Sequence, residues 1–479
     1  MSLFLIAIAV LVGGYFVYGM LVERIIGCDA RRQMPCYTKQ DGVDYMPLPT
    51  WKVFLIQFLN IAGLGPIFGA IMGVMFGPAA FLWITFGTIF AGAVHDFLSG
   101  VISIRRDGAS LPEIVGDELG IGVKQVMRVF SLLLMMLVGA VFVLTPADLI
   151  ASMTPDWMNT RFWILAIFVY YMLATVLPID KLIGNIYPLF GFALLFMAAG
   201  IMGVMMFGDV TIPVGLSEGF SNRNADAGSL PLFPMMFVSI ACGAISGFHA
   251  TQSPMMARCL KNERLARPVF YGAMVAEGLV ALIWAAAAIA FTGGYDRLAG
   301  YLAANGGAGG LVHDISINWL GTFGGVLAIL GVIAAPITTG DTALRSARLI
   351  ASDFMHYEQR TVVRRLIISI PVFAVTFFIM QIDFNVLWRY FAWCNQTLAV
   401  FTLWAITVYL VRHGKPYWIS MLPAMFMTCV CVTYILYAPE GFRLDYYVSL
   451  GAGVAVALLA GVMFMRKMVF SKSYNIAEE

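Results

Sequence analysis

Apolar residues along this chain gather into long runs separated by short polar breaks, a pattern that predicts helices crossing a bilayer. A window of about 19 residues, enough to cover roughly 30 Å of hydrocarbon at about 1.5 Å per residue, finds thirteen of them. They run over 3–22, 53–77, 78–104, 126–146, 162–178, 186–207, 231–250, 271–293, 321–340, 364–382, 386–411, 417–437 and 445–465. The predicted fold class is therefore all-α, a polytopic membrane protein of about 13 transmembrane helices. Ser2 to Met20 begins without a basic segment and lacks a small-residue cleavage site, so it reads as a retained span and not as a signal peptide. Nothing remains for a soluble domain.

Composition sharpens the picture. Apolar residues make up 61% and charged residues 12%, about half the charged share of a soluble chain. A soluble enzyme, a nucleic-acid binder and a disordered scaffold are excluded. The net charge of +2 implies no bulk electrostatic partner. Of the 29 Lys and Arg, only Arg161, Arg223, Arg297, Arg389 and Arg443 fall in one set of loops, and the other twenty-four fall in the opposite set. The positive-inside rule then places the N-terminus outside and the C-terminus in the cytoplasm of a multi-pass protein of the cell (inner) membrane. A miscounted span would scramble this division. The seven cysteines show neither C-x-x-C pairs nor metal-ligand spacing and read as packing residues.

Helix breaks mark chemistry, because in hydrocarbon a backbone that leaves the helix needs polar partners from protein or a water-filled cavity. Span 2 carries Asn60-Ile-Ala-Gly-Leu-Gly-Pro-Ile-Phe-Gly69, where Pro66 removes a donor and Gly63 and Gly65 release the dihedrals. A Pro-kinked helix with a close-packing seam at Gly65, Gly69 and Gly73 is the plain alternative. Span 7 reaches Ala241-Cys-Gly-Ala-Ile-Ser-Gly-Phe-His-Ala-Thr-Gln-Ser-Pro254, a second break at similar depth. Five positions separate the two broken spans. Five is odd, so spans 2 to 6 and spans 7 to 11 form inverted units, and matched broken helices in inverted halves point to a transport site at the midplane. The expected division is 1–52 (span 1 and a loop), 53–207 (first repeat), 208–230 (outer loop), 231–411 (second repeat) and 412–479 (two peripheral spans and a tail).

Other buried polar groups add candidates. His95 and Asp96 interrupt span 3, and a carboxylate there costs at least about 2.5 kcal/mol unless paired, protonated or wet. Asp96 is either a proton relay or substrate contact, or half of a structural pair. Span 9 ends in Ala335-Pro-Ile-Thr-Thr-Gly-Asp-Thr342, whose hard oxygens suit sodium or a proton. Asp341 either helps hold that cation or pairs with Arg345 at i,i+4 near the cytoplasmic boundary. Asn395 and Gln396 read as interhelical hydrogen bonders. Gly306-Gly-Ala-Gly-Gly310 reads as a flexible outer linker.

The chain resembles the carbon starvation protein (CstA) family of peptide and pyruvate transporters. The likeness rests on Ala91-Gly-Ala-Val-His-Asp-Phe97 with Arg105-Arg-Asp-Gly-Ala-Ser-Leu111, on Ala241 to Ala250, on Asp180-Lys-Leu-Ile-Gly184 with Tyr187-Pro-Leu-Phe190, and on Asn395-Gln396. It implies a LeuT-like architecture with a 5+5 inverted-repeat core, and carries Asp96, Gly243, Ser246, Gly247 and His249 over as matching positions. Some members have Gln at the place of His95 and a different run at Thr251 to Pro254, and longer members continue through further spans. In LeuT-like folds the third helix of the second unit lends hydroxyls to a coupling cation beside the first broken helix.

The expected function is secondary active import of a small carboxylate, a peptide or pyruvate, by alternating access coupled to H+ or Na+. Substrate contacts are expected from Gly63, Gly65, Pro66, Asp96, Gly243, Ser246, Gly247, His249, Gln252 and Ser253. Ala62, Thr338, Thr339 and Asp341 are expected around the cation, and His95, Asp96 and His249 in a proton relay, since histidine titrates near physiological pH. No enzyme activity, cofactor, or metal beyond sodium is expected; the partners are substrate, cation and lipid. An intramembrane enzyme or a haem-binding protein is the alternative from another class, and a channel lacks any recognisable filter.

Overall fold

The computed structural model describes residues 2–151, 154–176, 183–213, 219–359, 361–382 and 384–469. Among these residues, regular structure is helical throughout. Ten of the described helices are long and apolar enough to cross a membrane: Ser2–Ile26, Ala79–Arg105, Ile121–Ala151, Tyr187–Phe207, Glu263–Thr292, Gly324–Met355, Val362–Ile379, Val386–Arg412, Trp418–Tyr437 and Tyr446–Val469. They correspond to spans 1, 3, 4, 6 and 8 to 13. Span 2 is the bent pair Thr50–Ala62 and Gly65–Val74, turned by 52°. Span 5 is the shorter apolar helix Thr160–Thr175. Span 7 is two short helices, Leu232–Ser239 and His249–Ala257, with residues 240–248 unwound between them.

Two boundaries differ from the sequence-based expectation. Span 9 does not stop near residue 340: its helix runs on to Met355, which places Asp341 in the buried middle of a helix and not at a membrane boundary. The glycine run at 306–310 is not a loose linker, because Gly307 opens a helix, after a short one at Tyr295–Ala304, that leads into span 9 across a kink at Gly321 (φ +68°). Of the segments behind the family likeness, Asp180 to Leu182 lie outside the described residues.

Burial sorts the spans. The apolar windows of spans 3 and 8 are 83% and 78% buried, against 22% for span 1 and 28% for span 13. Phe16, Val17, Leu459 and Met463 point outward from these last two, as lipid-facing side chains do. The centre is built by close approach of small residues. A Cβ on Gly92 of span 3 would collide with the Ala244 carbonyl oxygen, and one on Gly139 of span 4 would lie 2.7 Å from Leu344 of span 9. Such contacts let backbones meet where hydrocarbon supplies no hydrophobic drive between helices.

Candidate functional site

The first break is abrupt. The helix of span 2 ends at Ala62, Gly63 takes φ +42°, and Pro66 enters the first turn of the following helix. Leaving the helix frees carbonyls that need donors. The Thr339 hydroxyl of span 9 donates to the Leu59 carbonyl at 3.0 Å, and a Cβ on Gly63 would stand 3.4 Å from the same hydroxyl oxygen. Asn60 and Gln57, one turn apart on this helix, are fully buried, and their side-chain amides have no hydrogen-bond partner.

The second break is longer and more heavily bonded. Asn395 of span 11 accepts from the Phe248 amide at 2.7 Å and from the Ser246 hydroxyl at 3.0 Å through its side-chain oxygen, while its backbone carbonyl accepts from the Gly247 amide at 3.1 Å. On the other side, the Thr88 hydroxyl of span 3 donates to the Gly243 carbonyl at 3.0 Å. The two breaks touch: a Cβ on Gly65 would overlap the Cβ of Cys242, and the ideal Cβ of Gly243 lies 3.9 Å from Pro66 Cα. At position 65 only glycine fits.

Beside this junction lies a buried ionisable cluster. Asp96 receives His95 Nδ1 at 2.8 Å on one oxygen and His249 Nδ1 at 2.9 Å on the other. His249 Nε2 faces a Glu277 oxygen at 3.5 Å, and all four side chains are fully buried. Cys242 Sγ completes a group whose polar atoms, with those of His249 and Glu277, lie within 4.8 Å of one another. Glu277 was absent from the sequence-based candidates. Its signal was a lone carboxylate in the apolar text of span 8, and an ionisable residue at such a place marks function by default.

The remaining candidates scatter. Gln252 points to span 9, with its amide nitrogen 3.4 Å from Ser346 Oγ, and Ser253 bonds back to the His249 carbonyl at 3.1 Å. Thr338 directs its hydroxyl proton to the Ala334 and Ala335 carbonyls, 2.9 Å each. Asp341 accepts from the Tyr187 hydroxyl of span 6, away from Thr339. Thr338, Thr339 and Asp341 thus take separate hydrogen-bond partners; Thr339 and the Leu59 carbonyl, near Ala62, are hard oxygens at the first break.

At the end of the bundle rich in arginine, Arg345 and Arg348 of span 9 reach Asp44 at 3.5 and 3.6 Å. Burial pushes the Asp44 carboxyl upward, but the Arg348, Arg345 and Arg258 guanidinium groups outweigh it and hold the group below the usual carboxylate range. A vestibule of about 500 Å³ opens here, lined by Lys39, Arg106, Glu113, Arg258, Asp353 and others. A smaller crevice lined by Ser110, Thr251, Arg258 and Ser346 shares Ser110 and Arg258 with it.

Comparison with known proteins decides the family. The profile of the carbon starvation protein CstA matches residues 1–160, 153–300 and 295–434. The chain belongs to the CstA family. An uncharacterized membrane protein of Haemophilus influenzae is 43% identical over 60% of this chain and 90% of its own length. The peptide transporter CstA of Campylobacter jejuni and the pyruvate/proton symporter BtsT of Escherichia coli are each 29% identical over 58% of this chain. The chain spans about half the length of these two, 48% and 47%. Among solved structures, a Na+-coupled sialic acid symporter superposes with a TM-score of 0.52 at 14% identity, covering 97% of this chain and 98% of its own. MhsT in complex with L-phenylalanine gives 0.53 at 14% identity, covering 85% and 98%. The fold of this CstA-family chain is LeuT-like.

Proposed function

We propose that this chain is a secondary active transporter that imports a small carboxylate-bearing nutrient, a peptide or pyruvate, by cation-coupled alternating access. One observation carries the reading: two helices break at the same place, and the helix leading into the first break carries two fully buried side-chain amides, Asn60 and Gln57, without hydrogen-bond partners. Unsatisfied groups of this kind cost free energy in the folded protein, and cargo or cation is what would offset it. The names of the curated relatives, a peptide transporter and a pyruvate/proton symporter, support the same class of solute.

Cargo would lie against Gly63 to Pro66 and Gly243 to Gly247, with Ser246 and Asn395 holding the second segment in shape. His95, Asp96 and His249 would carry the proton; Thr339, with the carbonyls near Leu59 and Ala62, would suit sodium. The repeats run from 53 to 207 and from 231 to 411, the N-terminus lies outside, and the vestibule opens to the cytoplasm. Transport, not catalysis, is the activity. Counterflow of labelled pyruvate and of a labelled dipeptide in proteoliposomes tests this directly. Exchange of at least one of them is expected; exchange of neither would overturn the reading.

A further inference from the structure

His249 opens the second half of span 7, Asp96 sits on span 3 and Glu277 on span 8. The contacts among them impose a proton count. Asp96 faces Nδ1 of both histidines, so as a carboxylate it takes an N–H from each. A neutral His249 with its proton on Nδ1 leaves Nε2 as a bare lone pair, and that lone pair faces a Glu277 oxygen at 3.5 Å. Two acceptors face each other unless one more proton is present, on Glu277 or on Nε2. With it the four groups carry one negative charge; without it they carry two, in a site closed to solvent. The groups acting on Glu277 are His249 and, behind it, Asp96, with Cys242 Sγ as the third polar neighbour.

We propose that Glu277 is the proton-binding carboxylate of the coupling mechanism, and that the proton shared with His249 fastens the unwound segment of span 7 to span 8. This rests on the transport reading above. Binding of the proton from one side stabilises the closed arrangement shown here. Loss of the proton to the other side leaves an anionic carboxylate against a lone pair, with the Asp96 charge behind it, and favours separation of His249 from Glu277, which moves the second break.

The test uses the full chain in proteoliposomes with labelled pyruvate and a labelled dipeptide, comparing wild type, Glu277→Gln and Glu277→Asp. Each is assayed for counterflow, which needs no net proton movement, and for accumulation driven by an imposed pH gradient. The ratio of driven accumulation to counterflow is expected to fall by about tenfold in Glu277→Gln, within the range of coupling free energies, and to recover in part in Glu277→Asp. An unchanged ratio in Glu277→Gln overturns this inference alone, as does accumulation driven by sodium and indifferent to pH. Equal loss of both activities in a variant that remains monodisperse also overturns it, because Glu277 would then serve structure or cargo. A wild type that exchanges neither solute overturns the transport reading and this inference with it.

Discussion

The two breaks solve one problem in different ways. Span 2 turns over two residues, with one left-handed glycine and a single hydroxyl from span 9 on the freed Leu59 carbonyl, and leaves two amides without hydrogen bonds. Span 7 opens nine residues and is stitched by Asn395 and Thr88, with ionisable groups at its far end. A short break with spare polar groups is suited to receiving a ligand. A long break tied to two neighbouring spans is suited to moving with them.

The strongest way to upset this contrast is Gly247→Ala. Its Cβ would overlap the Ala399 amide nitrogen and the Asn395 carbonyl oxygen, backbone atoms that cannot swing aside. A loss of about 3 kcal/mol in thermal unfolding, with transport abolished, is expected. Asn395→Ala should follow at about 2 kcal/mol, because the Phe248 amide and the Ser246 hydroxyl lose their shared acceptor. Asn395→Asp, which keeps an acceptor there, should lose less.

Asp44→Asn loosens the anchored end of span 9, the helix that carries Thr339 to the first break, and should cost about 2 kcal/mol, because the buried Arg345 and Arg348 lose their carboxylate. Because the folded protein holds the Asp44 carboxyl below its ordinary value, its contribution is present above the unfolded pKa of about 3.9 and fades as pH falls through the folded value. Wild type and variant should therefore converge in stability in strong acid and differ at pH 7. Thr339→Val, the smallest change, removes one donor from Leu59 and should cost roughly 1 kcal/mol or less, with the second break unaffected.

Much of this was legible in the sequence. Hydropathy located the spans, and glycine and proline located both breaks, since these residues act on the local backbone. What escaped depended on the third dimension. Asn395 is the interhelical hydrogen bonder its sequence suggests, but its partners lie about 150 residues away and an amide in an apolar helix does not name them. Thr339 and Asp341 are neighbours in text, yet two steps along a helix turn through about 200°, which sends one to span 2 and the other to Tyr187. Glu277 did carry a signal, a lone carboxylate in apolar text, but its partner His249 stands on another span and only the fold brings the two together.

The central claim, that cargo binds where the two breaks meet, is tested most directly at Cys242, whose Cβ abuts Gly65. In a variant with every other cysteine changed to serine, the rate of Cys242 alkylation by a small membrane-permeant maleimide can be followed with and without saturating pyruvate or dipeptide. The account predicts that the transported solute changes this rate severalfold. An unchanged rate, with transport of that solute intact, would contradict it.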